Sequence, residues 1–534
     1  MTRTLDILSL GGKNIVFSPP NDHWRKLRRL TMLHLLSAKK LQESLPVREG
    51  EIRVMLNAIA ADVAGTADEA AADATNDPSD VTYTGATTSG GTAKTSAMAE
   101  VGSTVEVRRY LNRATLNNIM RLTVGKRFGY SSIRGAASTT SKAILDAAMR
   151  IDWNERIAAM SGEKRGAEIR RGAAASAAAP AISTATTNVA SAMEEAEGEL
   201  AFAIVEEGFA LAGAFNIADY VPWLSHWDPL RMYARAQRLA PQLHGFMRAC
   251  IEERRELVQQ KSRTAMVARE GSRNETTFVD ALFEIEGEGE DQMDKDEMLM
   301  LTIDMMMAGT DTTSKTVEWA LAELAQQTDM LERLRAEVDA AYARSASAAA
   351  ETGAADAGGS DLVVSLPVAE MPYLQAVLKE TLRRHPVVPI LVPHLTTGSV
   401  TLGGYHIPPS TMIQINMWAL AHDPTVWINP HEFDPSRFLG PDAPDVTGQN
   451  FSLLPFGSGR RGCLGTNLGL DLSARLLANF VRRFDFKLPE DVRAAGGLDM
   501  TENFGLTMAL AKPLRVVVRE RKAVPGTVVS ASGA

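Results

Sequence analysis

Residues 453–465, LLPFGSGRRGCLG, place four glycines around one cysteine immediately ahead of a helical pattern, TNLGLDLSARLLANF. Glycine admits backbone conformations and close approaches closed to other residues. Gly457, Gly459, Gly462 and Gly465 therefore let the chain wrap the Cys463 sulfur and aim amide N–H groups at it. Those amides, with the positive end of the following helix, favour a thiolate. Arg461 adds a cation two residues away, suited to an anionic group. The plainer reading of the window is a buried structural cysteine in a glycine-rich turn. The rest of the chain decides between them.

Elsewhere the pattern is largely helical. Residues 21–60, 105–125, 229–262, 294–343 and 364–384 carry apolar side chains at three- and four-residue spacing. Residues 390–416 and the stretch GLTMALAKPLRVVVRE alternate and contain turn pairs, which predicts short strands. The apolar segment AFAIVEEGFALAGAF holds Glu206 and Glu207 at its centre, where charge is costly in lipid, so it reads as a buried globular helix. The expected architecture is mainly α with small β-sheets. Three tracts, 62–103, 161–197 and 345–361, mix small, polar and acidic residues without periodicity and are expected to be surface loops. Residues 522–534 read as a tail.

Composition excludes several classes. A net charge of −9 lacks the basic excess of a nucleic-acid binder. Two cysteines cannot build a disulfide framework, a four-cysteine zinc site or an iron–sulfur cluster. Cys250 has no motif around it and reads as a small apolar core residue. The N-terminus shows neither a spanning apolar run nor a signal-peptide layout.

The cysteine window matches F-x-x-G-x-R-x-C-x-G in full, through Phe456, Gly459, Arg461, Cys463 and Gly465. It resembles the haem-binding loop of the cytochrome P-450 family, the haem-thiolate monooxygenases. The resemblance implies haem b as cofactor, Cys463 as the axial iron ligand and Arg461 as partner of a haem propionate. A thiolate ligand pushes electron density onto iron and favours O–O cleavage.

Other windows follow in the family's order. NDHWRKLRRL contains Trp24 and Arg28 at i, i+4, matching the W-x-x-x-R helix whose side chains meet a propionate. Its cluster Arg25, Lys26, Arg28 and Arg29 also suits an acidic redox partner. In DMMMAGTDTTSKTVEWALAELA, Ala308 and Gly309 are small enough for a flat cofactor and O₂ to approach the backbone. Asp311 and Thr312 form an acid–alcohol pair mid-helix, where both are poor helix formers. The plainer account of Thr312 is a hydroxyl bonded back to the preceding turn. The match to A-G-x-D-T implies that the pair delivers protons to oxygen. Glu380 and Arg383 in KETLRRHP, with Arg437 in NPHEFDPSRF, match the Glu–Arg–Arg cluster that holds the fold near the haem. His394 stands where a further propionate donor is expected.

The resemblance covers residues about 15 to 520 and looks most like plant-type microsomal members, among them hydroxylases of phenylpropanoids and flavonoids. It implies one catalytic domain over 1–521, a P-450 fold incomplete at its start, because such members begin with a membrane anchor, a hinge and the first strands. The implied activity is hydroxylation of a small apolar or phenolic substrate with O₂. Electrons would come from NADPH-cytochrome P-450 reductase, since the chain carries no dinucleotide fingerprint. The implied location of the full-length form is the cytosolic face of the endoplasmic reticulum membrane. Substrate-lining candidates are Val388, Ile390, Leu391, the Met305–Ala308 face and Phe504 to Thr507. Two other readings keep the haem: a peroxide isomerase or dehydratase, which would usually lack the acid–alcohol pair, and a truncated non-catalytic haem-binding protein.

Overall fold

The computed structural model describes residues 3–75, 103–130, 153, 183–219, 221, 228, 230–265, 276–286, 292–351 and 365–521. The described helices are, in chain order, α1 (Arg3–Leu8), α2 (Asp22–Thr31), α3 (Ala38–Glu43), α4 (Leu45–Thr75), α5 (Val107–Val124), α6 (Ser183–Gly213) and α7 (Met232–Ala265). They continue with α8 (Phe278–Glu284), α9 (Lys295–Gln326), α10 (Thr328–Glu351), α11 (Pro372–Arg384), α12 (Met417–Ala421), α13 (Thr466–Arg483) and α14 (Glu490–Ala494). The strands are short. Strands β1 (Ser103–Glu106), β9 (Arg515–Glu520) and β6 (Phe484–Lys487) form an antiparallel sheet in that order, with Val518 registered against both Ser103 and Phe486. Three two-stranded ladders pair β2 (His394–Leu395) with β5 (Met412–Ile413), β3 (Val400–Leu402) with β4 (Tyr405–Ile407), and β7 (Glu502–Asn503) with β8 (Ala509–Leu510). Mainly helical with small sheets is what the periodicity predicts.

Local chemistry sets the helix ends. Asn21 caps α2 by accepting the Trp24 N–H at 2.9 Å. Asp294 and Glu297 form a reciprocal capping box on α9, each side chain taking the other's backbone N–H. Glu337 of α10 accepts the first free amides of α11, from Tyr373 and Leu374, at 2.9 and 2.8 Å. The periodic stretch 294–343 is two helices, because the chain leaves helical geometry at Gln327 (φ −118°, ψ 81°). The stretch 21–60 is likewise divided, by a π turn at Met32–Leu36 and by the capping residues Ser37 and Ser44.

The loop expectation for the Ala-rich tracts needs correction at their edges. α4 runs on through residues 62–75, α6 begins at Ser183, and α10 continues to Glu351. Alanine's high helix propensity, with an established helix to extend, outweighs the small polar residues there. Ser103 opens β1, and the remaining residues of those tracts, with 522–534, lie outside the described residues. In α6, Ile204 and Val205 are fully buried as a globular helix requires, while Glu207 turns to Arg235 of α7 in a bidentate ion pair.

Among the described residues there are three apolar cores, two of which flank the centre of α9. One holds Val317–Leu324 of α9 with α4, the start of α5, α10, α11, α13 and the β1–β9–β6 sheet. A second holds Met298–Met306 with α2, α6, α7 and α8. The third gathers Leu391, Met417, Trp427, Phe438, Leu453 and Leu454. Residues 308–316 of α9 belong to none of them. The cysteine loop and the helix it starts touch all three: Phe456 of the loop packs on the third and Leu464 on the second, while Leu468 and Leu472 of α13 belong to the second and the first.

Candidate haem site

The cysteine loop is built as the glycines predict. Gly457 and Gly459 take φ of 67° and 65°, in the left-handed region that side chains disfavour. The turn closes with the Cys463 N–H donating to Phe456 O at 2.9 Å. Cys463 is exposed. Yet desolvation is the largest influence on its thiol, pushing the pKa up, while the Gly465 N–H, the Thr466 hydroxyl and the Arg28 charge pull it down. Ala308 is exposed at the middle of α9, between the fully buried Met306 and Thr310. Gly309 lies against Ile119 of α5, where an added Cβ would stand 3.1 Å from its Cγ1.

Beside the loop, α2 delivers Trp24 and Arg28. Arg28 Nη1 donates to Gly462 O at 3.2 Å. The guanidinium carbons of Arg461 and Arg28 stand 4.4 and 5.6 Å from the Trp24 ring centroid. Neither arginine has a carboxylate partner among the described residues. Burial depresses both guanidinium pKa values, and for Arg461 the neighbouring Arg28 and Arg460 depress it further. The Trp24 Nε1–H is buried without an acceptor. Two unneutralised cations around an orphaned donor are the complement of a dianionic group, so these residues fit a haem edge with its two propionates. His394 is exposed on β2, registered against Ile413, and its imidazole makes no hydrogen bond or ring contact among the described residues.

On α9, Thr312 donates its hydroxyl to Ala308 O at 2.7 Å, the back-bonded geometry of the plainer reading, while staying only half-buried. Asp311 lies on a buried face. Its Oδ2 receives Lys315 Nζ at 2.7 Å and the Thr507 hydroxyl at 2.6 Å, and Lys315 also donates to Thr507 Oγ1. The loop after β7 is held by more than this contact. Trp319 Nε1 donates to Met508 O, and the Met508 N–H donates to Val387 O at 2.8 Å. Two candidate substrate-lining segments, Val388–Leu391 and Phe504–Thr507, are thereby fastened together beside α9. Phe504 is 64% exposed, Thr507 is buried, and the Leu506 backbone packs so closely on Gly213 of α6 that no Cβ fits there. Met305 and Met307 are partly buried against the second core.

The structure brings Glu380, Arg383 and Arg437 together. Arg383 binds Glu380 in a bidentate pair, 2.7 Å at each bond, and donates to the carbonyls of Ala421, Pro430 and Glu432. Arg437 Nε reaches Glu380 Oε1 at 3.4 Å, and the Asp434 N–H adds a bond to the same oxygen at 2.8 Å. Glu380 and Arg383 are fully buried.

Sequence reasoning missed the roles of Lys315 and of Asp304. Lys315 stands at i+4 from Asp311, a spacing that could have flagged it. Asp304 is buried one turn before Ala308 and carries no motif signal.

The chain is similar to known proteins over most of its length. The family model described as "Cytochrome P450" matches residues 174–508. Cytochrome P450 78A1 of Zea mays is 31% identical over 94% of this chain and 70% of its own length. Cytochrome P450 78A11 of Oryza sativa subsp. japonica is 31% identical over 96% and 72%. A flavonoid 3',5'-hydroxylase of Crocosmia x crocosmiiflora is 35% identical over 58% of this chain and 55% of its own. In three dimensions, a zebrafish cytochrome P450 solved with abiraterone superposes with a TM-score of 0.58 at 20% identity, over 97% of this chain and 87% of that one. The chain has the P450 fold and belongs to the cytochrome P450 family. Its class is the haem-thiolate monooxygenases, with haem b as cofactor and a redox partner, O₂ and an organic substrate as reactants.

Proposed function

We propose that Cys463 is the axial ligand of the haem iron, that Trp24, Arg28 and Arg461 hold the propionates, and that one catalytic domain spans residues 1–521. The observation that carries this reading is Cys463 itself, exposed in a glycine-built loop whose Gly462 carbonyl binds Arg28 and whose Arg461 lies with Arg28 against the Trp24 ring. When bound, the haem supplies the reductive activation of O₂, in which two electrons and two protons accompany entry of one oxygen atom into substrate and release of the other as water.

The chain's own groups set the rest. Ala308 and Gly309 keep α9 free of bulk against the cofactor face, and Phe456 packs the loop from the other side. Thr312 holds its hydroxyl on the half-open face of α9 through Ala308 O, and Asp311 supplies the adjacent proton relay. Lys315 and Thr507 orient that carboxylate. Glu380, Arg383 and Arg437 fix the frame under the loop. His394 remains a candidate propionate donor on the exposed rim. The acid–alcohol pair favours monooxygenation over peroxide rearrangement.

For the substrate we infer a small apolar or phenolic molecule, supported by the apolar segments around Val388 and Phe504 and by similarity to a flavonoid hydroxylase. Electrons come in this reading from NADPH-cytochrome P-450 reductase, docking on the basic face of α2, with the protein at the endoplasmic reticulum membrane. No described helix is long and apolar enough to cross a membrane. The test is reconstitution with haem and reductase, followed by a spectral binding screen of phenolics, terpenoids and fatty acids. A product that forms without NADPH and reductase would overturn the monooxygenase assignment for this chain's substrate.

A further inference from the structure

Asp304 lies on α9 and is buried, and the donors that face it are amides from the N-terminal segment. Asn14 Nδ2 donates to Oδ1 at 2.9 Å, and the Ile15 N–H donates to Oδ2 at 2.7 Å. The Val16 N–H points to the same carboxyl group. Asn14 in turn accepts the Phe17 N–H through Oδ1, and its carbonyl accepts the Ser18 N–H. One carboxyl group thus organises the whole turn from residue 14 to 18. The carbonyls of that turn then do something specific: Ile15 O and Ser18 O accept the two terminal nitrogens of Arg461, at 3.1 and 2.5 Å. Arg461 is in this way pressed over the Trp24 ring.

We propose that Asp304 is a positioning residue for haem retention, acting through residues 14–18 to fix the guanidinium of Arg461 against the propionate edge. This rests on the reading that Arg461 meets a propionate. A guanidinium free to rotate loses most of the geometric gain of a preset donor, so loosening the turn should speed haem loss without touching the thiolate ligand. The alternative role for Asp304 is general packing of the N-terminal segment, which would lower stability with no particular link to Arg461.

The contacts permit a variant that preserves the bonds of Asn14, Ile15 and Phe17. In N14D/D304N the two side chains exchange roles: the amide now at position 304 donates to the carboxylate now at position 14. The amide oxygen at 304 still accepts the Ile15 N–H, and the carboxylate at 14 still accepts the Phe17 N–H. D304N alone instead opposes two amide donors. The experiment measures transfer of haem from each holoprotein to excess apomyoglobin, with the carbon monoxide difference band recorded first to verify that the thiolate ligand is intact. R461A and D304N should each accelerate transfer about tenfold, equivalent to roughly 1.4 kcal/mol. N14D/D304N should return the rate to near the parent value. D304N/R461A should be no faster than R461A alone, while the two changes add normally in thermal unfolding. If R461A speeds transfer but D304N does not, or if the double variant shows additive acceleration, Asp304 does not act through Arg461 and the inference fails. If R461A itself has no effect, the propionate reading of Arg461 is what fails.

Discussion

The Thr507 hydroxyl donates to Asp311 Oδ2 at 2.6 Å, joining the oxygen-side helix to the C-terminal loop across 196 positions of sequence. Lys315 Nζ completes the triangle, 2.7 Å from the same carboxylate oxygen and 2.6 Å from the Thr507 oxygen. The acid assigned to proton relay is therefore tied to a loop whose tip, Phe504, faces open space. Thr507→Val keeps the volume close but removes one donor. Its expected effect is a severalfold rise in hydrogen peroxide released per NADPH consumed, with the carbon monoxide difference band unchanged. Lys315→Met leaves Asp311 buried with its cation gone and should cost about 1–3 kcal/mol in thermal unfolding. In Asp311→Asn/Lys315→Met much of that cost should return. Unchanged coupling in Thr507→Val would separate the loop from the relay.

Cys463→Ser exchanges the thiolate for a hydroxyl in a loop otherwise able to keep its Phe456 hydrogen bond. Serine is a poor iron ligand beside thiolate. The reduced, carbon monoxide-treated variant should lose the thiolate-specific difference band completely while far-ultraviolet circular dichroism stays as in the parent. Survival of the band would move the ligand to another residue.

Arg383 satisfies both oxygens of Glu380 and three carbonyls in a site with no exposure. Arg383→Met leaves Glu380, whose pKa burial already raises, with only the Arg437 and Asp434 donors on Oε1 and none on Oε2, and takes the Arg383 donor from those carbonyls. Loss of one partner of a buried pair typically costs about 3–5 kcal/mol. Arg383→Lys cannot reproduce the planar fork and should recover only part of this. Melting curves of the haem-free and haem-loaded proteins measure it. Equal melting of parent and Arg383→Met would show that the cluster is dispensable to the fold.

How much of this was legible in sequence follows from where each signal is stored. The Glu380–Arg383 pair and the loop around Cys463 are local, so residue type, spacing and the motif order around them were enough to single them out, whereas the Asn21 cap and the Asp294–Glu297 box, equally local, were not read. The Trp24–Arg28 spacing was equally readable, and the orphaned Trp24 Nε1 adds a reason for it that no spacing could supply. Arg461 was legible as a cation but not its clamp, because the acceptors are the backbone carbonyls of Ile15 and Ser18, and any residue has a carbonyl. Thr507 carries only a hydroxyl whose partner lies in a distant helix. The Ala-rich tracts misled in the other direction: helices already nucleated by packing extend into 62–75 and 345–351, where isolated propensity argued for loops.

Asp304 also makes the protein's stability depend on pH in a direction unusual for a carboxylate. Burial dominates its environment and pushes its pKa up to about 7, although three amide donors pull the other way. In the unfolded chain the group titrates near 3.9. Between about pH 4 and 7 the folded state therefore holds a proton that the unfolded state has released, and stability falls as pH rises through that window, levelling off above it. Carboxylates with depressed values, such as Asp280 beside Arg254, contribute the opposite slope, gaining stability as pH rises through their lower range. A comparison of parent with Asp304→Asn isolates the one group. The parent should lose on the order of 2–4 kcal/mol relative to Asp304→Asn between pH 4 and 8. The variant carries a constant penalty from the amide facing Asn14. Denaturant unfolding of the haem-loaded proteins across that range measures the difference, and parallel curves for the two proteins would mean that Asp304 keeps its charge throughout.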